Sequence, residues 1–263
     1  MMRGVDVETD SMLPLGIVFD LDGTLILSHH DFGRMREEIV RTAERYGAFL
    51  GPDAVTEKVG TSQILREARH ALQAAKVPEG TISRFEEDVN RRIDAVEMEA
   101  LPRTTARDGA RGLLEALADR AFRLGLFTRS SKGFCQGALA RTGLGGFFSH
   151  VRDRSTPGPA KPAPEALHLL LREMDVPVER ALFVGDHLED ARCAVLAEVV
   201  FYGVLPDPAQ PNPTTAAQFL ASGATSVAAD LDEIARLLDL PREARPRRAT
   251  RWPHPDLGHR RND

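Results

Sequence analysis

The chain has 263 residues, 42 % apolar and 28 % charged, with 34 Lys plus Arg against 39 Asp plus Glu and a formal charge of −5. That composition belongs to a folded globular chain with room for one large core or two smaller ones, and it excludes disorder throughout. The acidic balance argues against nucleic acid as the main partner. The longest nearly apolar run, residues 194–205, contains Glu198 and falls well short of the roughly 20 residues that cross a bilayer, so no membrane partner is expected.

Residues 1–14 carry Arg3, Asp6, Glu8 and Asp10 and no apolar stretch of the secretory kind, which reads as a cytoplasmic protein. Residues 13–20, LPLGIVFD, form an apolar run closing on an acid and read as a buried parallel strand. Between 31 and 101 no strand pattern appears, but three amphipathic helical patterns do. The first uses Phe32, Met35, Ile39, Ala43, Tyr46 and Leu50, the second Ile64, Leu65, Ala68, Leu72 and Ala75, and the third Ile82, Phe85, Val89, Ile93 and Val96. Ser83 with Glu86 reads as a capping box for the third.

From 107 onward strand and helix signals alternate. Helices are expected at 108–120, 131–142, 164–174, near 189–197 and at 230–239. Strands are expected at 122–127, 148–152, 181–185, 199–204 and 225–228. Alternation of this kind predicts an α/β fold with a doubly wound, Rossmann-like parallel sheet covered by helices on both faces. Residues 241–263 hold seven Arg, four Pro and three acids and little to bury, so a disordered tail is expected there. Cys135 and Cys193 lack metal-ligand spacing and read as reduced structural thiols.

Ligands of open parallel sheets bind at the carboxyl ends of the strands, and that is where the informative residues fall. Asp20 and Asp22 follow the first apolar run, Thr128, Arg129 and Ser130 follow 122–127, and Asp186 and Asp190 follow 181–185. The i, i+2 spacing of Asp20 and Asp22 places both on the same side of an extended chain, and Gly23 permits a sharp turn just beyond, so both can face the crevice. Ionised carboxylates gathered there repel one another by roughly 3 kcal/mol per pair at ~5 Å and an effective dielectric of about 20. A hard cation with oxygen ligands relieves this, and Mg²⁺ is the expected cofactor. One carboxylate can then act as a nucleophile and its neighbour carry a proton. The Thr128 hydroxyl, helix-start N–H groups and the Lys161 ammonium suit a phosphate, and the set together points to phosphoryl transfer.

FDLDGTL at 19–25, LGLFTRS at 124–130, AKPAPEAL at 160–167 and VGDHLEDA at 184–191 resemble the four ordered motifs of the haloacid dehalogenase superfamily, over roughly residues 14–240. The resemblance implies Asp20 as the nucleophile that becomes an aspartyl-phosphate and Asp22 as general acid. It implies phosphate contacts at Thr128, Arg129 and Lys161, a Mg²⁺ site from Asp20, Asp22 through its carbonyl, and Asp186, and support from Asp190. It further implies a core at 14–28 and 102–240 with an inserted all-helical cap at 29–101, similar to the phosphoglycolate phosphatase and beta-phosphoglucomutase group. Dehalogenases of this superfamily lack the second acid of the first motif, so Asp22 favours phosphate chemistry. His187 stands where relatives often have Ser, and Asp108-Gly109 where they often have Pro-Gly.

The expected activity is hydrolysis of a small phosphorylated metabolite such as phosphoglycolate or a sugar phosphate, by a monomer or homodimer. A phosphosugar mutase, a nucleotide or pyrophosphate hydrolase, and a non-catalytic binding protein on the same scaffold are the alternatives. Plainer readings stand beside individual residues: Thr128 as a helix cap, Asp190 as a helix N-terminal acid, His29 and His30 as linker residues. In the insert, Gly60-Thr61-Ser62 resembles a substrate-facing loop, and Lys58, Arg66, Arg69 and His70 are candidates for an anionic leaving group.

Overall fold

The computed structural model describes residues 15–51, 56, 60–208 and 214–240. Lys58, the tail at 241–263 and part of the Pro-rich loop at 206–213 lie outside the described residues. A six-stranded parallel sheet has the order β5-β4-β1-β6-β7-β8, where β1 is Gly16–Phe19, β4 Arg123–Phe127, β5 His150–Arg152, β6 Ala181–Gly185, β7 Val200–Val204 and β8 Ser226–Ala228. The chain winds outward from β1 to β5, then returns to lay β6 against the other side of β1. The direction of winding therefore reverses between β1 and β6, where such sheets bind ligands.

The central strands β1 and β6 are apolar on both faces because both are covered. Ile17 and Phe19 of β1, with Leu182 and Val184 of β6, pack with α4 (Ala110–Asp119), α5 (Lys132–Thr142) and α9 (Leu231–Leu237). Val18 and Phe183, one residue out of phase, pack on the opposite face with α6 (Pro164–Glu173) and α7 (Leu188–Leu196). The period of two thus splits each strand between two cores. Pro164 takes the first helical position of α6, where its missing N–H costs nothing.

Three short elements were not expected. β2 (Ile26–Leu27) and β3 (Thr105–Ala106) pair antiparallel as a two-residue ribbon, and α8 (Ala216–Ala221) starts at Thr215, whose hydroxyl accepts from the Gln218 N–H. The ribbon sets the two ends of the intervening segment side by side. Between them, α1 (Phe32–Arg45), α2 (Thr61–Ala74) and α3 (Glu79–Ala100) bury Met35, Ile39, Ile64, Leu72, Phe85 and Val89 in a third cluster of their own. The capping box expected at Ser83 and Glu86 is not formed. The helix starts four residues earlier behind Pro78, the Ser83 hydroxyl donates to the Glu79 carbonyl, and Glu86 pairs with Arg69 across to α2. A long-range ion pair has displaced the local signal.

Candidate active site

β1 ends at Phe19 and β6 at Gly185, so Asp20 and Asp186 emerge side by side at the point where the winding reverses. One turn into α7, Asp190 joins them, and single carboxylate oxygens of the three lie within 4.8 Å of one another. Lys161, from the loop between β5 and α6, reaches in between: its Nζ donates to Asp20 Oδ1 at 2.5 Å and to Asp190 Oδ1 at 2.7 Å. The Lys161 side chain is 1 % exposed and its ammonium sits 5.0 and 5.2 Å from the ring centres of Phe127 and Phe183, a placement that favours the cation. Asp186 Oδ1 accepts from the Thr24 hydroxyl at 3.1 Å. The other oxygen of Asp190 accepts the His187 N–H, so Asp190 is at once a helix-start acid and a partner of Lys161.

Close approach requires glycine twice here. A Cβ on Gly185 would meet Asp190 Oδ2 at 2.6 Å, and one on Gly23, whose φ is +85°, would meet Asp186 Oδ2 at 2.2 Å. Gly23 also closes a turn in which its N–H donates to the Ile26 carbonyl, while its own carbonyl accepts from buried Arg107 at 2.6 Å.

Leu25 and Ile26 both donate to the Leu21 carbonyl, so the chain turns back on itself just past Asp22, which bridges to Ile26. Carboxylate oxygens of Asp20, Asp186 and Asp190 meet, while Asp22 lies outside that trio with Oδ2 3.8 Å from His30 Nε2. His30 is correspondingly no exposed linker residue: it is buried, edge-on to Phe134 at 4.4 Å. His29 beside it is exposed, with a left-handed φ of +55°.

Burial, set against the pull of Lys161 and reinforced by Asp190 and Asp186, pushes the Asp20 carboxyl up to about 8. Burial opposes the charge on Lys161, but Asp190 and Asp20 overcome it and hold the ammonium well above its ordinary range. Asp22 is raised by burial in spite of His30. The pocket thus carries more buried acid than Lys161 neutralises. Its donors are all oxygens, and no side chain at Gly23 fills the space beside Asp186. This set fits a hard divalent cation.

Thr128 is buried at the end of β4, and its hydroxyl accepts the Ser130 N–H at 3.1 Å. It does not cap α5, which is capped by the Ser131 hydroxyl on the Phe134 N–H. The Arg129 guanidinium turns to Glu189, at 2.6 Å. Glu189 also accepts from the Ser62 hydroxyl at 3.1 Å and faces Arg66 at 3.4 Å, so α2 meets the core there. Arg69 is engaged by Glu86 and Glu79 and His70 is exposed.

Sequence reasoning missed Glu97, Arg154 and Arg107. Arg154 clasps Glu97 of α3 with two parallel hydrogen bonds of 2.8 Å and donates to the Arg129 carbonyl at 2.9 Å. Glu97 in turn accepts the Ser131 N–H at 2.9 Å. The loop after β4 is therefore fastened from the sheet and from the insert at once. An acid within the apolar stripe of α3 was the one available signal, since Glu97 follows Ile93 by four and is 4 % exposed.

Both cysteines are free and buried, and burial pushes each thiol up to about 12. With so little thiolate, neither is expected to react with a disulfide reagent in the native protein at pH 8, and both should react in concentrated guanidinium. Rapid modification of either native thiol would contradict their placement.

The parallel sheet carries its acid and lysine cluster at the strand ends, as an α/β core does. A family model of haloacid dehalogenase-like hydrolases matches residues 15–197, and the chain belongs to this family of hydrolases. It is 30 % identical over 190 residues to a phosphoglycolate phosphatase of Rhodospirillum rubrum, covering 71 % of this chain and 78 % of the relative. It is 26 % identical over 194 residues to the pyrophosphatase PpaX of Listeria innocua, covering 72 % and 82 %. The fold is also similar to the crystal structure of a predicted phosphoglycolate phosphatase from Haemophilus somnus 129pt, with a TM-score of 0.57 and 20 % identity over 85 % of this chain and 97 % of that one. Among the described residues no helix is long and apolar enough to cross a membrane.

Proposed function

We propose that the protein is a Mg²⁺-dependent phosphatase of small phosphomonoesters, working in the cytoplasm through an aspartyl-phosphate on Asp20. The observation that carries this reading is the buried contact of Lys161 with both Asp20 and Asp190, beside Asp186. The lysine holds Asp20 in place and offers a cation where the phosphoryl oxygens arrive.

In this reading an Asp20 carboxylate oxygen attacks phosphorus, the bond from phosphorus to the ester oxygen breaks, and Asp22 gives that oxygen a proton. Asp22 suits the task because burial raises its carboxyl. Water then attacks the aspartyl-phosphate, Asp22 takes the proton of that water, and Asp20 and free phosphate are released. Thr128 and Lys161 hold the phosphoryl oxygens, with Arg129 at their side. Mg²⁺, held by Asp20, the Asp22 carbonyl and Asp186 and supported by Asp190, would offset the negative charge of acids and phosphate. The helical segment 29–101 is read as a cap over a core of 14–28 and 102–240, excluding bulk water and choosing the leaving group.

Release of inorganic phosphate from a panel of phosphomonoesters and pyrophosphate, with Mg²⁺ and with EDTA, tests the reading. Turnover of a subset of monoesters, lost in EDTA and restored by Mg²⁺, is the expected result. Silence of the whole panel with Mg²⁺ would overturn it, and isomerisation of a sugar phosphate without free phosphate would replace it by the mutase reading.

A further inference from the structure

Two peptide units follow Thr128 in the loop after β4, and each is held at both edges. The Arg129 carbonyl accepts from the Arg154 guanidinium at 2.9 Å, while the N–H on the other side of that peptide, from Ser130, donates to the Thr128 hydroxyl at 3.1 Å. The Ser130 carbonyl accepts the Arg154 backbone N–H at 3.0 Å, and the Ser131 N–H across from it donates to Glu97 Oε2 at 2.9 Å. Carbonyl and N–H of a trans peptide point in opposite directions, so neither plane can rotate without losing both of its bonds. The Thr128 hydroxyl accepts through one lone pair and keeps its own proton for another group. Thr128 is buried, and among the described residues that proton has no acceptor.

The groups that hold these planes come from distant parts of the chain. Glu97 lies on α3 and Arg154 in the loop after β5, and two parallel hydrogen bonds of 2.8 Å join them. A paired contact of guanidinium and carboxylate fixes orientation as well as distance. Asp94, three residues earlier on α3, takes Arg154 Nη2 at 2.5 Å. A buried ion pair is a poor way to gain stability alone, since desolvation of both charges offsets much of their attraction. What this one secures is the direction of the loop. β4 lies beside β1 with Phe19 level with Leu126, so the loop opens on the same sheet edge as Asp20. We propose that Glu97 and Arg154 are positioning residues for phosphoryl transfer, acting through the two peptide planes to aim the Thr128 hydroxyl at a phosphoryl oxygen. This inference rests on the phosphatase reading above. A donor aimed at charge that builds on the phosphoryl oxygens counts most in the transition state, so misdirecting it costs kcat rather than KM.

Steady-state kinetics with Mg²⁺, on any phosphomonoester the wild type turns over, provide the test. Glu97→Gln leaves one oxygen where two partners need one each, and Arg154→Lys cannot form the paired contact. Each is expected to lower kcat by about tenfold and to leave KM within about threefold. Asp94→Asn touches the same guanidinium without touching the loop, and kcat should stay within about twofold. Thr128→Val alone should lower kcat by about a hundredfold, and adding Glu97→Gln to it should cost no more than a further twofold or so, because the hydroxyl being aimed is already gone. A merely structural joint would cost about tenfold again in that background, and melting curves establish which variants are folded at the assay temperature. The proposal is overturned by wild-type kcat in both Glu97→Gln and Arg154→Lys, by an equal loss in Asp94→Asn, by a full further loss on top of Thr128→Val, or by failure of both clasp variants to fold. If the wild-type protein itself releases phosphate from no ester, the phosphatase reading fails and this inference falls with it.

Discussion

Replacing Lys161 with Met is expected to abolish turnover and to destabilise the folded protein by about 3–5 kcal/mol at pH 8, as when one partner of a buried ion pair is removed. Methionine matches much of the volume, so the loss is electrostatic. Asp20 and Asp190 would remain beside Asp186 with no cation among them, in a site where the lysine is 1 % exposed. The Asp20 carboxyl would answer by holding its proton to still higher pH. Acids raised in the folded state lend stability that is complete below their unfolded pKa of about 3.8 and is lost as pH rises through the folded value. The deficit of Lys161→Met in EDTA, measured by denaturant unfolding, should therefore be smaller at pH 5 than at pH 8. A deficit below about 1 kcal/mol at both pH values would show that the lysine is not the counter-ion of this cluster.

The site was legible in the sequence because a parallel sheet puts its ligand-handling residues at the ends of apolar runs. Asp20, Thr128 and Asp186 each follow such a run directly, and the fold brings Asp20 and Asp186 together with Asp190 and Lys161. The apolar stripes Met35–Ile39 and Phe85–Val89–Ile93 likewise anticipated the helices between the β2–β3 ribbon, and these residues are buried as their spacing implied. What stayed hidden depends on contacts distant in the chain or on backbone turns without a hydrophobic period. Glu97 and Arg154 are 57 positions apart, and Arg129 and Glu189 60. Neither pair leaves a local pattern. The approach of Asp22 to buried His30, eight positions on, likewise leaves no local pattern. The ribbon itself offers only two residues per strand, too few to alternate.

Asp20→Asn is expected to lower phosphate release by about four orders of magnitude or more, because the amide retains the shape and removes the attacking carboxylate. The same substitution separates chemistry from folding. In the metal-free protein Asp20 is raised to about 8 by burial and by Asp190 and Asp186, so between pH 4 and 8 the folded state holds a proton that the unfolded chain has released. By linkage the wild-type protein then loses stability as pH rises through that window. An amide does not titrate, and Asp20→Asn in EDTA should have a melting temperature that declines less from pH 5 to pH 8 and equals or exceeds that of the wild type at pH 8. Mg²⁺ should narrow the gap by stabilising the wild type more than the variant, since ligands that favour the folded state raise its apparent stability. A variant that unfolds more readily than the wild type at pH 8 in EDTA would mean that Asp20 is held as part of a stabilising ion pair. The surplus of buried acid, on which the cation site depends, would then be absent.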